Sequence, residues 1–408
     1  MNYYFYPLIM NKSGEEIIGI IGAGTMGSGI AQVAAKAGHK TLIFDSNPVV
    51  LRKAVVDLKK SLERLVEKGK ISTGDSNSII ERIYFIDSID KLKSADYIIE
   101  AIIENTEIKQ QVFKELENVV RDDCIFASNT SSLSITGIAS SCRISGRVIG
   151  MHFFNPAQLM PLVEIIPGIT TTNETIDKSK ALISKWGKFV VLAKDTPGFI
   201  VNRIARPFYS EAIRIFEERW CGIPGDETGI ATIDWAMKEF GGFKMGPFEL
   251  MDLIGNDINY TVTETIWKQF YYDPRYKPSF TQKRLVEAKH LGRKSGKGYY
   301  SYSENSIAPE PVKDSVVGKK IFMRILAMLI NEAADALYYN VATKEDIDLA
   351  MTKGVNYPKG LLKWCDEIGA VEIFNIVTAL RSEYSEERYR PSVLLKQMVE
   401  KKINFIIK

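Results

Sequence analysis

The stretch from Glu16 to Asp45 limits the possible folds more than any other part of the chain. Ile17-Ile-Gly-Ile-Ile21 is apolar and rich in β-branched residues, the signature of a strand covered on both faces. It runs into Gly22-Ala-Gly24-Thr25-Met26-Gly27, after which Ile30, Val33 and Ala34 keep helical spacing up to Gly38. A second apolar strand, Thr41 to Phe44, ends in Asp45. Each glycine of such a unit answers a separate steric need. Gly22 makes the tight turn, Gly24 lets main chain approach a pyrophosphate, and Gly27 lets helix and strand pack closely. The helix start offers unbonded N–H groups and a positive dipole end to the phosphates. Asp45 lies 23 residues beyond Gly22, near the ~20 expected of the acid that binds an adenosine ribose. A glycine triplet alone often marks only a turn, but strand, glycines, helix, strand and acid in register point to a dinucleotide. The Asp45 carboxylate can accept from both ribose hydroxyls of NAD and would repel the 2′-phosphate of NADP, so NAD is the expected cofactor.

At ~150 residues per domain, the 408 residues allow two or three domains. A hydrophobic content of 45%, a charged content of 25% and a net charge of +3 suit an ordinary soluble protein and point to neither a nucleic-acid nor a membrane partner. The four cysteines, Cys124, Cys142, Cys221 and Cys365, are scattered without a CxxC pair, which argues against a disulfide scaffold or a metal site and fits a cytoplasmic location. Residues 1–15 read as an extension, because Met1–Met10 lacks the basic start and small-residue cleavage site of a signal peptide. No run reaches the ~18 apolar residues of a membrane span.

Strand and helix patterns alternate over residues 16–193, which predicts a doubly wound α/β domain. A long amphipathic helix is expected from about Pro48 to Gly69. Short β-rich runs follow at Ile83–Ile86, at Tyr97–Ile103 (ending in Glu104), and at Cys124–Ala127 ahead of Ser128-Asn129-Thr-Ser131. Arg147–Met151 leads into His152-Phe-Phe-Asn155, and Leu162–Ile166 carries Glu164. From Lys194 onward helical patterns dominate, in two segments: 194–302, then 317–408 after a proline-containing linker at 303–316. The segments repeat each other. Arg203-Ile and Glu211-Ala212 match Arg324-Ile and Glu332-Ala333, while Gly246, Asp252 and Gly255 match Gly360, Asp366 and Gly369. Copy one has extra residues around 219–228, an insertion between helices.

Of the three histidines, His39 sits in a helix-to-strand turn on the side of the sheet away from the glycine loop, and reads as a surface residue. His290, in a basic glycine-broken segment, reads as exposed. His152 instead follows a strand at the ligand-binding edge, where a proton acceptor for alcohol oxidation belongs. Glu164, on the next strand in an apolar setting, is the candidate to hold its other ring nitrogen.

Gly22–Gln32, Ala127–Thr136, Gly150–Pro156, Pro197–Arg203 and Gly292–Gly298 together closely resemble the L-3-hydroxyacyl-CoA dehydrogenases, with motif spacing kept from Glu16 to about Tyr302. The resemblance implies a Rossmann-type α/β domain followed by helical domains, and NAD-dependent oxidation of (S)-3-hydroxyacyl-CoA to 3-ketoacyl-CoA, or the reverse, in fatty-acid metabolism. It makes His152 the base and Glu164 its partner, with Ser131 and Asn202 holding the substrate C3 oxygen. It places Gly22, Gly24, Thr25, Met26, Gly27, Asp45, Glu104, Lys109, Asn129, Asn155 and Lys294 at the cofactor, and Ser61, Lys68 and Ser131 at the coenzyme A substrate. The duplicated segment departs from the short enzymes of the family and resembles the arrangement in multifunctional fatty-acid oxidation enzymes. In copy two Met323 replaces Asn202, so that copy is expected to be a packing element. A monomer with an intramolecular pseudo-dimer of helical domains is expected, with a higher assembly through another surface left open. Two alternatives stand beside this reading: an NAD-dependent dehydrogenase of a free hydroxy or sugar acid on the same scaffold, and a non-catalytic NAD-binding homologue.

Overall fold

The computed structural model describes residues 16–405, so the expected extension at 1–15 lies outside the described residues. The chain forms two compact units, one up to Thr196 and one from Pro197. The first ends slightly beyond the expected boundary because the Asp195 carboxylate accepts from the main chain of Ile135 and Thr136 at 3.0 and 2.8 Å, which ties that segment to the first unit.

In the first unit the strands are β1 (Ile17–Ile21), β2 (Lys40–Phe44), β3 (Ile83–Ile86), β4 (Tyr97–Glu100), β5 (Ile125–Ser128), β6 (Val148–Phe153), β7 (Leu162–Pro167) and β8 (Phe189–Leu192). They form one sheet in the order β3-β2-β1-β4-β5-β6-β7-β8, with β7 antiparallel to β6 and the other pairs parallel. The chain leaves β3 at one edge and returns beside β1, so a topological switch point lies at the carboxyl ends of β1 and β4. Helices α1 (Thr25–Lys36), α2 (Pro48–Glu67), α3 (Thr73–Arg82), α4 (Thr106–Glu117), α5 (Ile135–Ala139) and α6 (Asn173–Lys185) join the strands. Ile18, Ile20, Ile30, Ile43 and Ile99 share the core beneath α1, as their apolar runs require.

Several local differences from the sequence reading stand out. The polar helix α3 was not foreseen. It is started by a capping box in which Ser72 accepts from the Asp75 N–H and Asp75 accepts from the Ser72 N–H. Strand β4 stops at Glu100 rather than Ile103, because the Glu100 carboxylate folds back to accept from Ile102 N at 2.7 Å. His39 is buried rather than on the surface: its Nδ1 lies 3.1 Å from the Glu16 carbonyl oxygen and its ring packs on Trp186. His290 is half-buried rather than fully exposed.

The second unit is helical. Copy one comprises α7 (Val201–Ile204), α8 (Arg206–Glu217), α9 (Glu227–Gly241), α10 (Pro247–Ile254), α11 (Asn256–Gln269) and α12 (Phe280–Glu287). Copy two comprises α13 (Ser315–Tyr338), α14 (Lys344–Gly354), α15 (Leu361–Ile368), α16 (Ala370–Tyr384) and α17 (Val393–Lys401). The long helix α13 is the hub, packing on α8 and α9 of copy one and on α15, α16 and α17 of its own copy. Matching residues do matching work. Asp234 accepts from the first N–H groups of α10 at Phe248 and Glu249, and Asp348 does the same for α15 at Leu362 and Lys363.

Contacts between the copies are reciprocal. Arg203 of copy one donates to Glu332 of copy two at 2.6 Å, while Arg324 of copy two donates to Glu211 of copy one at 3.1 Å. The Tyr276 hydroxyl reaches Glu332 at 2.6 Å, and the Tyr389 hydroxyl reaches Glu211 at 3.1 Å. Arg203 lies over the Phe270 ring and Arg324 over the Tyr384 ring, each at 5.2 Å. Such exchange of equivalent contacts is what a two-fold relation between the copies produces. The insertion breaks it locally, adding Trp220 over Arg324 at 5.0 Å.

Candidate active site

The glycine loop is built as its sterics demand. Gly22 holds φ of +100°, and a Cβ there would lie 2.6 Å from the Ala101 carbonyl oxygen. A Cβ on Gly27 would lie 1.9 Å from the Gly22 oxygen, so close helix packing requires glycine at that position. At Gly24 a Cβ would meet no protein atom within 4 Å. Nothing in the protein calls for glycine there, which leaves room for a ligand to approach the main chain. Gly24 is also the N-cap of α1 with no side-chain cap, and Thr25 is exposed and Met26 half-buried in the first turn. The Asp45 carboxylate accepts from Ala23 N and Asn47 N, both at 2.8 Å, and so fixes the acid at the end of β2 against the loop. Gly24 open to a ligand, an uncapped helix start and an anchored acid at the switch point together fit an adenine dinucleotide.

His152 and Glu164 face each other directly across the antiparallel pair β6–β7. Opposed residues there project to the same face of the sheet. His152 Nδ1 lies 2.6 Å from Glu164 Oε2, with Glu164 fully buried, His152 nearly so, and the imidazole beside the Phe154 ring at 4.5 Å. His152 belongs to β6 itself, whereas the sequence reading placed it just beyond the strand. With the Nδ1 proton held by the carboxylate, Nε2 is the atom positioned to exchange a proton with a ligand.

A second group of predicted residues converges at the ends of β4 and β5. Glu104 Oε1 accepts from Ser131 N at 2.9 Å, Ser131 Oγ at 3.1 Å and Thr130 Oγ1 at 2.7 Å. Burial alone would raise the Glu104 carboxyl, but Lys109 and the bonds from Thr130 and Ser131 outweigh it and hold the group below the usual carboxylate range. Lys109 differs from expectation. Its side chain is 1% exposed, with Nζ 2.6 Å from Glu100 and 3.5 Å from Glu104, so it braces those acids instead of presenting its ammonium at a surface. Glu100 was missed by the sequence reading. It accepts from Lys109, from Ile102 N and, at 2.7 Å, from Ser128 Oγ, which links β4, β5 and α4. Asn129 receives the Phe153 N–H at 2.8 Å and so ties the β5 loop to the strand that bears His152.

The remaining predicted residues lie on other elements or loops. Asn155 is exposed just after β6. Ser61 and Lys68 are seven positions apart along α2 and share one face, with Lys68 exposed as its C-cap. Asn202 and Lys294 lie in the helical unit, Asn202 in α7 and Lys294 with Nζ on both Asp257 oxygens at 2.7 Å. Among the described residues no group of His, Cys, Asp or Glu is arranged to hold a metal ion, and no helix is long and apolar enough to cross a membrane.

The profile of the 3-hydroxyacyl-CoA dehydrogenase NAD binding domain matches residues 17–196. The profile of the C-terminal domain of the same family matches twice, at 198–302 and 321–404. The chain is 35% identical to a 3-hydroxyadipyl-CoA dehydrogenase of Escherichia coli K12, over 94% of this chain and 97% of that one. It is 41% identical to a probable 3-hydroxybutyryl-CoA dehydrogenase of Bacillus subtilis, which matches 70% of this chain and 97% of its own length. A crystal structure of a 3-hydroxybutyryl-CoA dehydrogenase from Escherichia coli K12 superposes with a TM-score of 0.86 at 34% identity, covering 95% of this chain and 99% of that one.

Proposed function

The chain belongs to the 3-hydroxyacyl-CoA dehydrogenase family, and from that premise we propose how its residues perform NAD-dependent oxidation of a 3-hydroxyacyl-CoA to the 3-ketoacyl-CoA, or the reverse. The observation that carries the assignment is the buried His152–Glu164 pair, 2.6 Å apart at the carboxyl edge of the sheet. NAD, held by Gly22, Gly24, Thr25, Met26, Gly27 and Asp45, supplies a hydride acceptor when bound. His152 Nε2 takes the proton of the C3 hydroxyl, and Glu164 keeps Nδ1 protonated and stabilises the imidazolium that results. Ser131 and Asn202 donate to the C3 oxygen as it gains negative character. Glu104, braced by Lys109, orients the Ser131 hydroxyl and main chain. Asn129 and Asn155 flank the nicotinamide end, Lys294 is a further cofactor contact that the family resemblance implies, and Ser61 and Lys68 meet the coenzyme A.

A monomer with its two helical copies paired internally, in the cytoplasm, is part of the same proposal. It is supported by the reciprocal ion pairs and by free cysteines at all four positions. The test is NADH oxidation with acetoacetyl-CoA beside a free 3-keto acid, in wild type, His152→Gln and Glu164→Gln. The thioester alone is turned over by the wild type, and His152→Gln lowers kcat about 10²–10⁴-fold while NADH affinity stays within a few-fold. Normal turnover in His152→Gln, or equal rates on the free acid, overturns the assignment.

A further inference from the structure

One guanidinium of the helical unit is not explained by the frame that joins the two copies. Arg206, at the start of α8, is 5% exposed. Its Nε donates to the Asn202 main-chain oxygen at 2.8 Å, its Nη1 donates to Thr263 Oγ1 at 3.1 Å, and its plane lies over the Tyr209 ring at 4.9 Å. The other buried arginines of this unit, Arg203, Arg214, Arg275, Arg324 and Arg388, each face a carboxylate. Among the described residues Arg206 faces none, and its Nη2 makes no protein hydrogen bond. Burial pulls the guanidinium below its ordinary value, opposed only in part by Tyr209 and Tyr357.

Tyr357, from the loop between α14 and α15, packs on the Phe208 ring at 5.7 Å, and its buried hydroxyl has no hydrogen-bond partner among the described residues. A buried cation without a counter-ion and a buried hydroxyl without a partner both cost stability. Here the two occur side by side. The duplication provides an internal comparison: Arg203 and Glu211 recur as Arg324 and Glu332, but the position of Arg206 is Ala327. The fold of a copy therefore does not depend on an arginine there.

We propose that Arg206, with the hydroxyls of Tyr209 and Tyr357, is a carboxylate subsite for the far end of the acyl chain, which makes the preferred substrate the coenzyme A thioester of a 3-hydroxy dicarboxylic acid. The proposal rests on the reading above that Asn202 holds the C3 oxygen. Arg206 follows Asn202 by one helical turn, about 6 Å along an axis, which suits a few methylene groups between C3 and a terminal carboxylate. A planar guanidinium with unused N–H groups binds such a carboxylate through charge-assisted bonds.

The experiment compares kcat/KM for acetoacetyl-CoA and for 3-oxoadipyl-CoA, with NADH, in wild type, Arg206→Met, Arg206→Lys and Tyr357→Phe. Wild type favours the carboxylate-ended thioester. Arg206→Met lowers the ratio of the two constants about 10–100-fold, the range of a charged hydrogen bond made or lost. Arg206→Lys keeps part of the preference, and Tyr357→Phe loses a smaller part. Tyr357→Phe removes only an unbonded hydroxyl, so it remains informative if Arg206→Met fails to fold. A purely structural arginine would lower the melting temperature and both rates together and leave the ratio unmoved. That result, or a wild type indifferent to the carboxylate, overturns the subsite while acetoacetyl-CoA turnover keeps the dehydrogenase reading. Turnover of neither thioester overturns the dehydrogenase reading itself.

Discussion

Replacing Glu332 by Gln tests the joint between the helical copies. The Glu332 carboxylate is fully buried and accepts from Arg203 at 2.6 Å, Arg275 at 3.0 Å and Tyr276 at 2.6 Å. Arg275 also donates to Asp335 at 2.5 Å, so two guanidiniums are balanced by two carboxylates out of water. Glutamine keeps the shape but leaves one positive charge uncompensated and turns an NH₂ toward a donor. Breaking a buried pair from one side costs about 3–5 kcal/mol. For a unit of this size each kcal/mol moves the melting temperature by about 2–4 °C, giving a drop of about 6–20 °C. Burial would raise the Glu332 carboxyl, but Arg203 and Arg275, with the Tyr276 bond, more than offset it, so the folded value lies below the ordinary one. A depressed folded value gives stability that is complete above the unfolded value of ~4.3 and is lost as pH falls through the folded value. The gap between wild type and Glu332→Gln is therefore full at pH 7 and closes in acid below the unfolded value. Melting curves followed by circular dichroism from pH 7 down to 3 measure both effects. A variant melting within 2 °C of wild type at pH 7, or a gap of the same size in acid, refutes the reasoning.

Asp45→Ala is expected to narrow the preference for NADH over NADPH, read as the ratio of kcat/KM values, and an unchanged ratio removes the selectivity role of Asp45. Gly24→Ala is expected to weaken NAD binding with little change in melting temperature, because a Cβ there meets no protein atom within 4 Å. Gly27→Ala is expected to destabilise the first unit, since its Cβ would lie 1.9 Å from the Gly22 oxygen; equal melting temperatures for the two variants would contradict this. Truncation at Pro311 removes α13 and uncovers the faces of α8 and α9 that pack on it, so dimerisation or aggregation is expected by light scattering. A monomeric, fully stable truncated protein argues against an internal pseudo-dimer.

The parts of this molecule legible in the sequence are those set by local sterics. The glycine unit could be read because Gly27 meets the Gly22 main chain only five residues away in the same motif, while Gly22 adopts the positive φ of a tight turn. The choice of His152 and Glu164 was legible from the place of His152 at the carboxyl edge of an apolar strand and of Glu164 within the next apolar strand. Their 2.6 Å pairing depends on the antiparallel register of β6 and β7, which no local pattern states. Glu100 was missed because an acid ending an apolar run resembles any strand terminus. Its signal was Lys109, nine positions on, whose spacing on α4 returns the ammonium to the end of β4. His39 was misjudged because its cover, Trp186, is far along the chain. The polar helix α3 lacked a strong apolar stripe, yet its capping box at Ser72 and Asp75 was there to be read.

The duplication separates the requirements of folding from those of ligand binding within one chain. Several residues on which the helical frame depends are kept in both copies: Arg203 and Arg324 with their reciprocal glutamates, and Asp234 and Asp348 at the starts of α10 and α15. Gly255 and Gly369 likewise share φ near +100°, at 102° and 103°. Two of the positions that differ belong to residues proposed above to bind substrate. Asn202 has become Met323 and Arg206 has become Ala327, on helices that otherwise align residue for residue. Both changes replace a polar side chain by an apolar one inside a packed unit, where an unpartnered polar group is costly. Copy two, with no glycine-loop domain preceding it, lost the groups whose cost only a ligand would offset. Copy one kept them, one turn apart, which is the arrangement expected if Asn202 and Arg206 serve two ends of one acyl chain.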